Sequence, residues 1–141
     1  MKIMVSACLL GENCKYSGGN NRDEKVLAFR EGHEVFPVCP EVMGGLSVPR
    51  PPAEIVGGEV VNREGFSVDC EFRRGAQAAL DIAQREKIDL AILQSRSPSC
   101  GVKEIYDGTF SGTRIPGMGV TARLLKEHGI RVLDAGELLK E

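Results

Sequence analysis

Apolar residues fall along the chain in two alternating patterns: short continuous runs, and longer stretches spaced at three and four. The run from Ile3 to Ala7 predicts a first strand, and Gly11 to Gly19, rich in Gly, Asn and Ser, predicts the loop that leaves it. Asp23 is placed to cap a helix carrying Val26, Leu27 and Arg30 with Gly32 as its stop. Val35, Phe36 and Val38 then supply a second buried strand. A β-α-β unit results. Gly44-Gly45 and the prolines Pro49, Pro51 and Pro52 mark a shaped loop, because each proline removes a donor and restricts the residue before it. Ile55-Val56 and Val60-Val61 flank Gly57-Gly58-Glu59 as the arms of a small hairpin.

From about Asp69 to Lys87, Phe72, Ala76, Ala79, Leu80 and Ala83 recur at helical spacing and predict an amphipathic helix covering one face of a sheet. Leu90 to Leu93 reads as a third buried strand and Ile130 to Leu133 as a fourth. A helix with Val120, Leu124 and Leu125 lies between them and ends at Gly129. Gly108, Gly112, Gly117 and Gly119 punctuate the stretch before that helix as a glycine-rich loop, and Leu138 and Leu139 close a final short helix. Strands alternating with helices define an α/β fold: a three-layer Rossmann-like or flavodoxin-like architecture with a mainly parallel sheet, expected as a single domain over residues 1–141.

Composition narrows the function. The chain carries 18 Lys plus Arg against 20 Asp plus Glu, a formal charge of -2, so nothing in the electrostatics calls for a nucleic acid polymer or an anionic membrane. No apolar run approaches the roughly 18 to 20 residues that cross a bilayer, and the first residues lack the apolar core of a signal peptide, so the expected location is cytoplasmic. In that reducing compartment five cysteines, Cys8, Cys14, Cys39, Cys70 and Cys100, point to ligation or catalysis before structural disulfides. Small buried packing is the competing reading for each.

Three of the five share a topological position. Cys8 follows strand one, Cys39 follows strand two and Cys100 lies just beyond strand three. Open parallel sheets bind ligands outside those carboxyl ends, near the point where strand order reverses. Three thiolates there suit either zinc with an open coordination position or an iron-sulfur cluster with one iron left free. Cys14 is a candidate fourth ligand, and Cys70, in the first turn of the long helix, is expected to pack.

Glu41 and Ser97 stand close to these cysteines in Cys39-Pro40-Glu41 and Ser97-Pro98-Ser99-Cys100. A carboxylate beside a metal centre can act as general base on water, and a hydroxyl can relay a proton or hold developing negative charge. Both residue types also cap helices and turns. Arg50 either orients a substrate edge or forms an ion pair within its loop, and Tyr106 and Phe110 either stack on a planar ring or fill core. His33 and His128 sit at element ends as surface or capping residues, and neither a Walker A sequence nor G-x-G-x-x-G occurs.

Together, Val5-Ser6-Ala7-Cys8-Leu9-Leu10-Gly11, Val38-Cys39-Pro40-Glu41, Gly44-Gly45-Leu46, Pro49-Arg50, Ser97-Pro98-Ser99-Cys100-Gly101 and Ile105-Tyr106-Asp107-Gly108-Thr109-Phe110 resemble the thiouracil desulfurase family, also catalogued as domain-of-unknown-function family 523. The resemblance runs from about Val5 to Val132 and is to the short, single-domain form. It implies a 4Fe-4S cluster held by Cys8, Cys39 and Cys100, with one open iron for the sulfur of a small thiolated substrate such as 2-thiouracil. Water would replace sulfur at carbon and sulfide would leave without net redox change. The implied acid/base pair is Glu41 and Ser97. Lys15-Tyr16-Ser17-Gly18, where relatives often have an acidic residue before the glycine, and Gln94, where many have lysine, depart from the family pattern and bear on substrate choice.

A thiophilic Lewis acid withdraws electrons from a C=S carbon and stabilises departing sulfide, so the implied chemistry is coherent in itself. The expected function is therefore non-redox desulfuration of a thiolated heterocycle. A non-catalytic iron-sulfur or sulfide-binding module, and a zinc hydrolase using the same cysteines, are the alternatives.

Overall fold

The apolar runs become strands of one parallel sheet flanked by helices, the two central ones, Lys2–Ser6 and Leu90–Leu93, almost wholly sealed from water and the two edge ones, Glu34–Val38 and Val132–Asp134, only partly so. The structure is a computed structural model and describes residues 1–140. In chain order its elements are β1 (Lys2–Ser6), a 3-10 turn (Ala7–Leu10), α1 (Glu24–Phe29), β2 (Glu34–Val38), α2 (Pro40–Met43), β3 (Ala53–Val56), β4 (Glu59–Asn62), α3 (Asp69–Arg85), β5 (Leu90–Leu93), β6 (Glu104–Tyr106), β7 (Arg114–Pro116), α4 (Val120–Glu127), β8 (Val132–Asp134) and a closing 3-10 helix (Ala135–Lys140).

The main sheet has the order β2-β1-β5-β8, with every pairing parallel. Counting those strands along the chain gives 2-1-3-4, the beginning of the flavodoxin-like order. Successive side chains alternate between two cores. Met4, Ala91 and Leu93 face Ala79, Leu80 and Ala83 of α3 and Ala122 and Leu125 of α4. Ile3, Val5, Leu90 and Ile92 face Val26 of α1, Leu9 and the closing 3-10 helix. The result is three layers, as the alternation of elements predicts.

Local chemistry explains the helix limits. The Asp23 carboxylate accepts from the backbone N–H of Lys25 at 2.9 Å and Val26 at 3.3 Å, satisfying donors the first turn leaves free. α3 buries Phe72, Ala76, Ala79, Leu80 and Ala83 along one stripe. It also carries Gly75, where a Cβ would fall on the Pro40 carbonyl oxygen, so α2 rests directly on α3.

Three local readings change. The stretch read as a glycine-rich loop contains the β6–β7 hairpin, whose arms of three residues are too short to show a period. Pro40 to Met43 form α2, a four-residue helix begun by proline at its first turn. Cys70 is exposed rather than packed, since its place in the first turn of α3 lies off the buried stripe. Among the described residues, no helix is long and apolar enough to cross a membrane.

Candidate active site

β1 and β5 are neighbours at the reversal of strand order, and a cavity of about 650 Å³ opens at their carboxyl ends. Cys8, Cys39, Cys100, Glu41 and Ser97 all line it, and so does Cys14. Each arrives by a different local device. Cys8 sits in the 3-10 turn after β1, which Gly11 closes in a left-handed conformation at φ 99° by donating to the carbonyls of Ala7 and Cys8. Asn21 folds back so that its backbone N–H reaches the Cys8 carbonyl at 3.0 Å and its amide the Cys8 thiol at 3.6 Å. Cys39 occupies the N-cap position of α2 at the end of β2, and the seating of α2 on Gly75 fixes its height above the sheet.

Cys100 is held by α4. Backbone N–H groups of Val120 and Thr121 donate to the carbonyls of Pro98 and Ser99 at 2.9 and 2.8 Å, so the first turn of α4 satisfies itself on the cysteine loop. The hydroxyls of Ser99 and Thr121, both buried, meet at 2.7 Å. Within that loop Ser97 Oγ accepts from the N–H groups of Ser99 and Cys100, each at 3.0 Å. The capping reading of Ser97 is thus realised and its side chain still lines the cavity. With both lone pairs engaged, its O–H is free to donate.

Glu41 lies in the first turn of α2 and pairs with Arg50, Nε to Oε1 at 3.0 Å, with the two side chains only 18% and 6% exposed. Arg50 also donates to the carbonyls of Ser47 at 3.0 Å and Cys14 at 2.9 Å. The ion-pair reading of Arg50 therefore holds, with a partner outside its own loop. Burial pushes the Glu41 carboxyl up, Arg50 pulls it back, and the net shift is upward.

Burial is the first cause that raises the Cys8, Cys14 and Cys100 thiols, and repulsion from neighbouring thiolates adds to it. Cys14 and Cys100 are pushed up to about 12, and Cys8 is raised by burial against the opposing hydrogen bond from Asn21. Such thiols stay protonated at neutral pH unless a cation takes their protons' place. None of the five is in a disulfide.

Donors for a single metal ion must converge on one point, and among the described residues no three Cys, His, Asp or Glu side chains do so. A polynuclear cluster asks for several thiols around one cavity, each meeting its own iron, and Cys8, Cys39 and Cys100 all line this one. The all-thiol donor set thus fits an iron-sulfur cluster. His33, bonded to the amino terminus at 3.1 Å, and His128, bonded to the Leu124 carbonyl at 3.0 Å, stay outside the cavity as expected.

Sequence reasoning missed Asn21, Ser6, Glu54 and Arg63, which also line the cavity. Ser6 Oγ accepts from the Gln94 N–H at 3.0 Å and lowers the Cys100 thiol through a hydrogen bond. The signal available for Ser6 was its place at the end of β1, but Asn21, Glu54 and Arg63 are brought in by turns and hairpins with no local pattern of their own.

Fold and cavity define an α/β protein with a thiol-lined pocket at its topological switch point. The family model described as 2-thiouracil desulfurase matches residues 3–137, and the chain belongs to that family. YbbK of Bacillus subtilis (strain 168), an uncharacterised protein, is 41% identical over 146 residues, covering 96% of this chain and 97% of its own. The solved structure of the 4Fe-4S-dependent thiouracil desulfidase TudS is similar with a TM-score of 0.91 and 43% identity, over 99% of this chain and 93% of that one.

Proposed function

We propose that this chain is a single-domain cytoplasmic enzyme that removes sulfur from a small thiolated heterocycle such as 2-thiouracil, converting C=S to C=O and releasing sulfide. The observation that carries this reading is the meeting of Cys8, Cys39 and Cys100 with Glu41 and Ser97 around one cavity at the strand-order reversal. The three cysteines would hold a 4Fe-4S cluster with one open iron, which when bound supplies a thiophilic Lewis acid for the thiocarbonyl sulfur.

The chain's own residues do the rest. Glu41, raised by burial yet kept in place by Arg50, is suited to take a proton from the water that adds to the thiocarbonyl carbon. The free O–H of Ser97 is suited to donate to the negative charge that builds on the substrate as that water adds. Asn21 supports Cys8 as a thiolate through its amide. The rigid strand edge, fixed by α2 on α3 and by the loop on α4, holds these groups in one relative position.

One observation favours a second reading. Cys14 lines the same cavity, and its backbone carbonyl accepts from the Cys39 thiol at 3.7 Å. Four cysteine ligands would close the open iron and make the protein a binding module rather than an enzyme. Anaerobic reconstitution with iron and sulfide, followed by metal counting and a 2-thiouracil-loss assay, decides. Cluster with released sulfide is the expected result. A loaded cluster with 2-thiouracil intact removes 2-thiouracil as substrate and favours another thiolated compound or the binding role, and turnover by zinc-loaded, iron-free protein sinks the cluster.

A further inference from the structure

The cavity has a wall that the acid/base chemistry does not use. It is built from two hairpins, β3–β4 and β6–β7, and contributes Glu54, Arg63, Tyr106 and Phe110. Glu54 is 9% exposed and faces its partner hairpin with one oxygen doubly engaged. Its Oε1 accepts from the backbone N–H of Gly108 at 2.9 Å and of Phe110 at 3.2 Å. The two hairpins also touch backbone to backbone: a Cβ at Gly108, where φ is 93°, would lie 2.6 Å from the Ile55 carbonyl oxygen.

The loop so pinned holds an unusual conformation. Phe110 has φ 57°, a region that bulky side chains avoid and occupy only where the surroundings over-determine it. Here the surroundings are the Glu54 acceptor at its N–H and the Arg63 guanidinium, 6.0 Å from its ring centroid. Phe110 nevertheless lines the cavity, as Tyr106 does, and belongs to neither core. A strained aromatic residue held at the edge of a cavity by a buried carboxylate is an arrangement for presenting a flat surface to a guest.

We propose that the loop between β6 and β7 is the ring-recognition wall of the site: Phe110 supplies the stacking face for a planar heterocycle, and Glu54 is the positioning residue that sets that face. This rests on the desulfurase reading and names the part of the substrate that reading leaves open. The wall selects for flat aromatic thiocarbonyl compounds, because stacking on a π face is indifferent to ring substituents but demands planarity. Stacking of this kind acts on ground state and transition state alike, so its loss appears in KM.

The test uses the cluster-loaded protein, with 2-thiouracil as substrate and uracil as inhibitor. Phe110→Leu keeps the bulk and removes the π face; its KM and its uracil inhibition constant are expected to rise together by about tenfold, with kcat within about threefold of wild type. Phe110→Tyr restores both. Glu54→Ala moves KM in the same direction, and Glu54→Gln, which keeps an acceptor oxygen, returns most of the loss. Visible absorption and iron content stay at the wild-type level in all four variants.

Wild-type KM and uracil inhibition in Phe110→Leu overturn the stacking role while leaving the desulfurase reading intact. Loss of the cluster in Glu54→Ala overturns its assignment as a positioning residue for the ring. A wild-type protein that carries a full cluster and leaves 2-thiouracil unchanged overturns 2-thiouracil as the substrate, and this inference with it.

Discussion

Gly119→Ala tests whether the first turn of α4 sets the position of Cys100. Gly119 is the N-cap residue of α4 with φ -71° and ψ 167°, a conformation open to any residue, so the substitution acts through the added Cβ alone. That atom would stand 2.5 Å from both the carbonyl carbon and oxygen of Ser99, where real contacts begin at 3.0 Å, so the loop must move by 3.0 − 2.5, or 0.5 Å at the least. Overpacking of this order costs about 1–3 kcal/mol. Alanine is also the poorer N-cap by roughly 0.5–1 kcal/mol, a term offset by about the same gain from a less flexible unfolded chain. The net of about 1–3 kcal/mol corresponds to a fall in Tm of roughly 4–10 °C for a chain of this size.

A shift of this size also exceeds what a preorganised ligand site tolerates, so iron retained after reconstitution should fall well below the wild-type count. The assays are thermal unfolding by circular dichroism on the metal-free protein and iron counting after anaerobic loading. Gly19→Ala is the control. Its Cβ would meet only side chains, at 3.6 and 3.9 Å, in ordinary contact, so both readouts should stay at wild type. Wild-type Tm and full iron content in Gly119→Ala would refute the claim that α4 positions the cysteine loop.

Single Cys8→Ala, Cys39→Ala and Cys100→Ala variants should each lose the visible absorption of the loaded protein, whereas Cys14→Ala should keep both cluster and turnover; a cluster-free Cys14→Ala beside a cluster-loaded, inactive wild type would favour the four-ligand reading. Glu41→Gln should retain the cluster and lose about 100-fold or more in kcat, the usual worth of a positioned acid/base group, and wild-type turnover would remove Glu41 from the mechanism. Arg50→Met takes the cation from a buried pair and should cost about 3 kcal/mol at neutral pH, measured by urea denaturation. Burial already raises Glu41 above its ordinary 4.5, so its contribution to stability is full below that value and falls as pH rises through the native one. Removing Arg50 raises the native value further, so the penalty should grow from acid to neutral pH; a penalty that shrinks over that range contradicts the argument.

The strands and long helices were legible because each writes its burial into a period. Ile3 to Val5 and Leu90 to Leu93 are continuous runs since both faces are covered, and Phe72 to Ala83 repeat as one helix stripe. The shared position of Cys8, Cys39 and Cys100 followed from the same reading, because parallel strands put their ends on one edge. The β6–β7 hairpin and α2 were illegible at three and four residues, too short to express any period. Glu54 and Arg63 were missed for a different reason: they meet the cavity only through contact between hairpins far apart in sequence.

By itself, then, the sequence determined the strand and helix order, the layers and the edge at which chemistry collects, since hydrophobic periodicity and chain direction are local quantities. Tertiary structure alone decided that Arg50 partners Glu41, that α4 carries the Cys100 loop and that Glu54 pins Phe110. Those are contacts between segments whose approach depends on packed volumes and on glycines small enough to allow it, and no local pattern encodes which segments will meet.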